Sequence, residues 1–229
     1  MSRITIETAE NLAVKMRGML HLSDSEPINI KTVLRKLRIL TLFRPLSDTL
    51  YGLSAKSYDA EWKFILVNSN TMQGRQNFTV AHELYHLYYD DDPHIHFCRE
   101  GLPDSSERSA NLFAGAFLMP RSGLIQRIPD QELLSRDLSL TTLLDLEALF
   151  AVSHTAMLVR LKELKLIRPE LFEKYSTIKV IREANLRGMD VGLYMKGNEG
   201  MIIGDFGAKA KELYDRELIS EGHYVELMN

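Results

Sequence analysis

With 229 residues, 45% of them hydrophobic, the chain can bury one good core and a smaller second unit. Its 28 basic and 31 acidic side chains leave a net charge of −3, which excludes a global basic field for nucleic acid but not a local patch. A single cysteine, Cys98, excludes an intrachain disulfide framework and points to a reducing cytoplasm. The opening MSRITIETAENLAVKMRGML has no apolar block of signal-peptide type, and no run of about eighteen uncharged apolar residues occurs. The expectation is a cytoplasmic, soluble protein without a membrane segment.

Residues 6–20 have helical spacing, with Leu12, Met16 and Leu20 on one side. A second helix is expected after Pro27, where Ile30, Val33, Leu34 and Leu37 recur at three and four. RILTLFRPL is short, apolar and β-prone, closed by Pro45. LYGLSAKSYDAEWKFILVNSN then predicts two strands, the second ended by the turn-forming Asn-Ser-Asn. From Asn77 to about Tyr89 the stripe Phe78, Ala81, Leu84, Tyr85 and Tyr88 predicts a helix that the acidic DDDP segment stops. A linker holding Gly101 and Pro103 precedes a helix capped by Asp104 or Ser105 and running to Pro120. Beyond Pro129 the chain is leucine-rich and helical as far as Ile167. LYMKGNEGMII suggests a hairpin around Gly197-Asn198, and AKAKELYDREL a terminal helix.

The chemistry concentrates in TVAHELYHLYYDD, residues 79 to 91. Residues four apart on a helix are rotated by about 400°, so His82 and His86 share a face one turn apart. That spacing lets two imidazole nitrogens converge on one zinc ion. Glu83 lies about 100° round from His82, beside a metal rather than on it, where it can hold a water as general base. The competing reading is two surface histidines on an ordinary helix. Val80, Ala81, Leu84 and Leu87 argue against it, because histidines buried among them would leave polar nitrogens unpaired.

A catalytic zinc needs a third protein ligand and an open position. Position 92 is Asp, and His94 and His96 fall outside the spacing at which a third histidine would follow. The best candidate is Glu107, twenty-one residues past His86 in the helix SSERSANLF, with Asn111 one turn later on the same face. Asn111 is a candidate to orient a ligand histidine through its other ring nitrogen. A solvated first-turn residue favoured by the helix dipole is the plainer reading of Glu107. Its apolar company, Ala110, Leu112, Phe113 and Ala114, weighs for the ligand.

NFTVAHELYHLYY followed by SERSANLFAGAFLMP resembles the ImmA/IrrE family of bacterial metallopeptidases, with the strand FILVNSN ahead of them also in keeping. The similarity runs over roughly residues 5–165. The resemblance implies a compact zincin-like core, zinc ligands at His82, His86 and Glu107, and Glu83 as catalytic base. It also implies a substrate, a helix-turn-helix repressor cut to switch on mobile-element or stress genes.

LLDLEALFAVSHTAMLVRLKELKLI, residues 143–167, has the cadence of a helix-turn-helix, with Ser153 capping its second helix. Residues 130–168 carry five Lys/Arg against six Asp/Glu, so direct DNA binding is disfavoured and a packing or partner-gripping role preferred. His94 and His96 in PHIHF read mainly as an exposed loop pair, with a cleft role as the alternative. Tyr51, Tyr58 and Tyr85 are undifferentiated candidates for an oxyanion donor. The whole reads as α+β: a zincin-like core over 1–125 with a small sheet packed on helices, a helical subdomain over 126–170, and a C-terminal α/β segment over 171–229 of unassigned role. The expected activity is that of a zinc (or manganese) endopeptidase acting on a helix-turn-helix repressor. The alternative is a non-catalytic, metal-containing module that antagonises the repressor by binding it.

Overall fold

The computed structural model describes residues 4–59, 61–90, 95–99 and 105–228. Helix α1 (Ile6–Met19) starts where the Thr5 hydroxyl accepts from the Thr8 amide, and α2 (Ile30–Lys36) starts at Asn29, whose carboxamide oxygen accepts from Lys31 and Thr32. Three strands follow: β1 (Leu40–Arg44), β2 (Leu50–Lys56) and β3 (Lys63–Asn68). Helix α3 (Gln73–Tyr89), strand β4 (Ile95–Arg99) and helix α4 (Ser105–Leu118) come next. A short α5 (Arg121–Ile125) and α6 (Asp130–Ser135) lead to α7 (Leu140–Phe150) and α8 (His154–Glu163). The tail holds α9 (Pro169–Ser176), α10 (Val180–Leu186), β5 (Ile202–Ile203), α11 (Phe206–Asp215) and α12 (Glu221–Met228). The fold is α+β.

The sheet has the order β4-β2-β3-β1-β5. β1 runs parallel to β3, while β2 pairs antiparallel with both β3 and β4. Alternation sends Phe43 of β1 and Ile65 and Val67 of β3 inward, and α3 lies across the sheet. On its other side α3 packs against α4, and α4 in turn against α1. Sandwiched in this way, α3 is buried at every residue from Thr79 to Leu87. That explains a helix that carries His82, Glu83 and His86 without a solvent face.

Gly52 of β2 makes the close approach of sheet and helix possible. A Cβ there would lie 2.8 Å from both the Leu66 carbonyl and the Thr79 side chain. Gly74 plays the same part at the start of α3, where a Cβ would lie 2.7 Å from the Ser153 amide in the α7–α8 turn. Two buried arginines fix the end of α4. Arg17 donates from Nε and Nη2 to the Phe117 carbonyl, and Arg160 donates from Nε to Met119 and from Nη2 to Glu10.

The predicted turn between α7 and α8 falls where expected: α7 ends at Phe150, Ala151 adopts φ 53°, and the Ser153 hydroxyl caps α8 by accepting from Ala156. The two helices cross at 106°, and among the described residues no single helix is long and apolar enough to cross a membrane. Among the described residues the larger hydrophobic core runs from α1 through the sheet and α3–α4 into α7, α8 and α9, and a smaller cluster joins Leu144 to Ala184 and Tyr194 of the tail.

The expected hairpin around Gly197-Asn198 needs correction. The chain does turn there, with Asn198 at φ 63° and Gly200 at φ 77°, but its arms pair elsewhere. Lys196 bridges to Met72, and Ile202 and Ile203 pair with Leu42 and Thr41. The free edge of β1 offers unpaired backbone groups that a two-residue strand from the tail satisfies. Gln76 reinforces the join, donating to the Gly197 carbonyl and accepting from the Asn198 carboxamide. The linker around Gly101 and Pro103, and Asp104 and His94, lie outside the described residues.

Candidate metal centre

Helix α3 delivers His82, Glu83 and His86, and α4 delivers Glu107 from its first turn. The structure brings the three expected ligands to one point. His82 Nε2 and His86 Nε2 are 3.2 Å apart, and the Glu107 carboxylate oxygens lie 3.5 Å from the first and 3.6 Å from the second. Four-coordinate zinc with bonds of about 2.0–2.1 Å separates neighbouring ligand atoms by about 3.3–3.4 Å. The two nitrogens, each with a different oxygen of the Glu107 carboxylate 3.5–3.6 Å away, lie close to those spacings, and the chemistry, two imidazoles and a carboxylate, suits that ion.

The outer ring nitrogens are held as well. His82 Nδ1 is 3.0 Å from Asn111 Oδ1, the geometry for an N–H donating to the carboxamide and leaving Nε2 as the free donor atom. His86 Nδ1 is 2.9 Å from Asp90 Oδ2, and the Ser106 hydroxyl donates to the same oxygen at 2.6 Å. Asp90, which in the sequence reads only as part of a helix stop, thus orients a histidine one turn before it.

Glu83 is fully buried. Its Oε2 accepts from the Ser54 hydroxyl of β2 at 2.6 Å and lies 3.1 Å from His96 Nδ1. Its Oε1 has no hydrogen-bond partner. A buried carboxylate oxygen left unmatched costs on the order of 1–3 kcal/mol, and it marks the place where a water or cation belongs.

His96 overturns the exposed-loop reading of PHIHF. It sits on β4, half-buried, with its ring stacked 3.5 Å from that of His86 and Nε2 2.5 Å from Glu107 Oε1. Strand alternation turns Ile95 and Phe97 outward and His96 and Cys98 inward, so a period-two signal was present in HIHFC. His96 thereby joins His82, His86 and Glu107 in one group whose ligand atoms lie within 4.8 Å of one another. Ser54 carried no comparable signal, because only the pairing of β2 with β3 aims it at α3. Of the tyrosines, Tyr85 is packed against Phe113 in the core, Tyr58 is 91% exposed, and Tyr51 lines the cleft beneath Arg75.

The proton affinities of the cluster are pulled in opposite directions. Burial opposes a charged His96, but Glu107 and Glu83 raise its imidazole to about 9. Burial likewise opposes charge on His82, yet Cys98, Glu107 and Glu83 hold it well above the ordinary value. Burial together with repulsion from His82 and His96 lowers His86 to about 4. Against its own burial, the Glu107 carboxyl is held well below the usual range by His82 and His96. Two carboxylates facing three imidazoles draw cations into the space between them.

The family model of the IrrE N-terminal-like peptidase domain matches residues 35–162, more than half of the chain and the whole of this site. The protein belongs to this peptidase family. A solved structure, a Mycobacterium tuberculosis transcriptional regulator, is similar at 20% sequence identity and a TM-score of 0.45. The match covers 71% of this chain and 48% of that one, so this IrrE-like chain spans about half the length of that structure. No curated protein matches the chain.

Proposed function

We propose that this IrrE-like chain is a zinc-dependent endopeptidase that cuts a partner protein, a helix-turn-helix repressor, and so relieves repression. The observation that carries the reading is the convergence of His82 Nε2, His86 Nε2 and the Glu107 carboxylate, with Glu83, whose Oε1 has no partner, on the same helix as the two histidines. His82, His86 and Glu107 would hold a zinc or manganese ion, which when bound would supply Lewis acidity at the scissile carbonyl. Glu83 Oε1 takes the proton of the attacking water and returns it to the leaving amine. Ser54 and His96 hold the other oxygen of Glu83, which keeps Oε1 pointed at the reacting atoms. Asn111 and Asp90 fix the tautomers of the two ligand histidines.

The helix-turn-helix-like pair serves this site. Thr155, Ala156 and Val159 of α8 line the same cleft as His82 and Glu107, so the face that would enter a DNA groove forms a wall of the substrate path.

The test is incubation of the zinc-loaded protein, and of Glu83→Gln, with purified helix-turn-helix repressors, read by mass spectrometry of the products. Cleavage of one repressor by the wild type and its loss in Glu83→Gln with metal retained is the expected result. Repressor inactivation retained in full by Glu83→Gln would instead make the chain a binding antagonist.

A further inference from the structure

Resting on the peptidase reading, we infer that the cleft beside the metal centre takes a peptide segment of alternating acidic and apolar side chains, gripped by Arg75, Arg99 and Arg108. The cleft has a volume of about 740 Å³ and opens at His82 and Glu107, between α3, β4, α4 and α8. Its floor is apolar, built by Phe78, Leu112, Ala156 and Val159. Its rim is basic.

Arg75, Arg99 and Arg108 are all exposed, and among the described residues none makes an ion pair. That sets them apart from Arg17, Arg127 and Arg160, whose guanidinium groups are held by protein carbonyls or carboxylates. Arg75 is nonetheless held in place, its guanidinium 3.6 Å from the Tyr51 ring centre. Stacking fixes a guanidinium while leaving its edge N–H groups available to a carboxylate.

The countercharges within the cleft are few. Glu107 belongs to the metal cluster, and Glu163 is a half-buried residue of the wall, where burial raises its carboxyl while Arg160 and Arg108 oppose that rise. Arg160 itself is taken up by Glu10 and the Met119 carbonyl. The surplus of positive charge at the rim is thus local, in a chain whose overall charge is −3.

Both acidic peptide and nucleic acid would be drawn to free arginines. The peptide is favoured because the basic groups ring an apolar hollow rather than form an extended stripe, and because that hollow begins at His82 and Glu107. Apolar side chains fill the floor while carboxylates between them reach the rim.

The test is fluorescence anisotropy on the full-length, zinc-loaded Glu83→Gln protein. Three fluorescein-labelled peptides of equal length are compared, built from Glu and Leu, Gln and Leu, or Lys and Leu. The expected result is binding of the Glu/Leu peptide roughly tenfold tighter than the Gln/Leu peptide, with Lys/Leu weakest, and a preference that shrinks with added salt. In Arg75→Glu/Arg108→Glu, and independently in Arg99→Glu, the advantage of Glu/Leu over Gln/Leu falls by roughly tenfold or reverses. Equal affinities for the three peptides, an unchanged order in these variants, or displacement of the Glu/Leu peptide by an oligonucleotide of matched charge overturns the proposal. Because binding is read without cleavage, a chain that prefers acidic peptide yet cuts no repressor refutes the peptidase alone. A repressor-cutting chain indifferent to charge refutes this proposal alone.

Discussion

Among the described residues the molecule buries two histidine–carboxylate assemblies, and they differ in how completely they are satisfied. At the α7–α8 turn, His154 Nδ1 meets Glu147 Oε1 at 2.7 Å and Nε2 meets the Tyr175 carbonyl at 2.9 Å. The second oxygen of Glu147 accepts from the Tyr194 hydroxyl at 2.8 Å. Each ring nitrogen and each carboxylate oxygen there has a partner, and the network ties α7 and α8 to the tail. In the α3–α4 cluster two Nε2 atoms face each other and Glu83 Oε1 faces nothing. The comparison teaches that burial and residue type do not separate a structural network from a site, whereas unspent bonding capacity does.

If that distinction holds, variants in the two assemblies should fail differently. The largest expected effect is on stability. His154→Ala leaves the buried Glu147 without its imidazole partner and should cost about 3–5 kcal/mol by denaturant unfolding, with zinc stoichiometry unchanged. Asp90→Ala and Asn111→Ala should do the reverse, weakening zinc about 10–100-fold in competition with a chelator while moving the unfolding midpoint little. A large stability loss without a metal effect in those two would erase the contrast.

Smaller effects sharpen it. Ser54→Ala removes the hydroxyl that anchors Glu83 Oε2 and should slow repressor cleavage by about tenfold with metal content intact. The pH dependence of stability is the finest test. Burial opposes charge on His154, but the Glu147 carboxylate raises its imidazole above 6.5. A value raised in the folded state stabilises fully below the unfolded value and is lost as pH climbs through the folded one. The gap in melting temperature between wild type and His154→Ala should therefore narrow as pH rises from about 6 to above the folded value.

Local periodicity carried much of this to the sequence. The i, i+4 histidines with Glu83 between them, the helix around Glu107 and the α7–α8 turn all rest on spacings of one or two helical turns. What escaped depends on which strands meet. Ser54 reaches Glu83 only because β2 pairs with β3 and Gly52 lets it close on α3, and no local pattern announces that. His96 was half-legible, since the alternation in HIHFC was there to be read but an edge strand next to two histidine-bearing turns was not. The tail strand β5 resembled half of a hairpin because its turn chemistry is local, while its true partner, β1, lies far back in the chain.

Metal content per chain, measured on purified wild type and Glu107→Ala, decides whether His82, His86 and Glu107 hold a metal together. The expected result is about one zinc per wild-type chain, and a variant that stays folded but loses more affinity than the roughly 10–100-fold expected for an outer hydrogen-bond partner. A wild type that takes up neither zinc nor manganese when supplied, or a Glu107→Ala variant that binds as the wild type does, would contradict it.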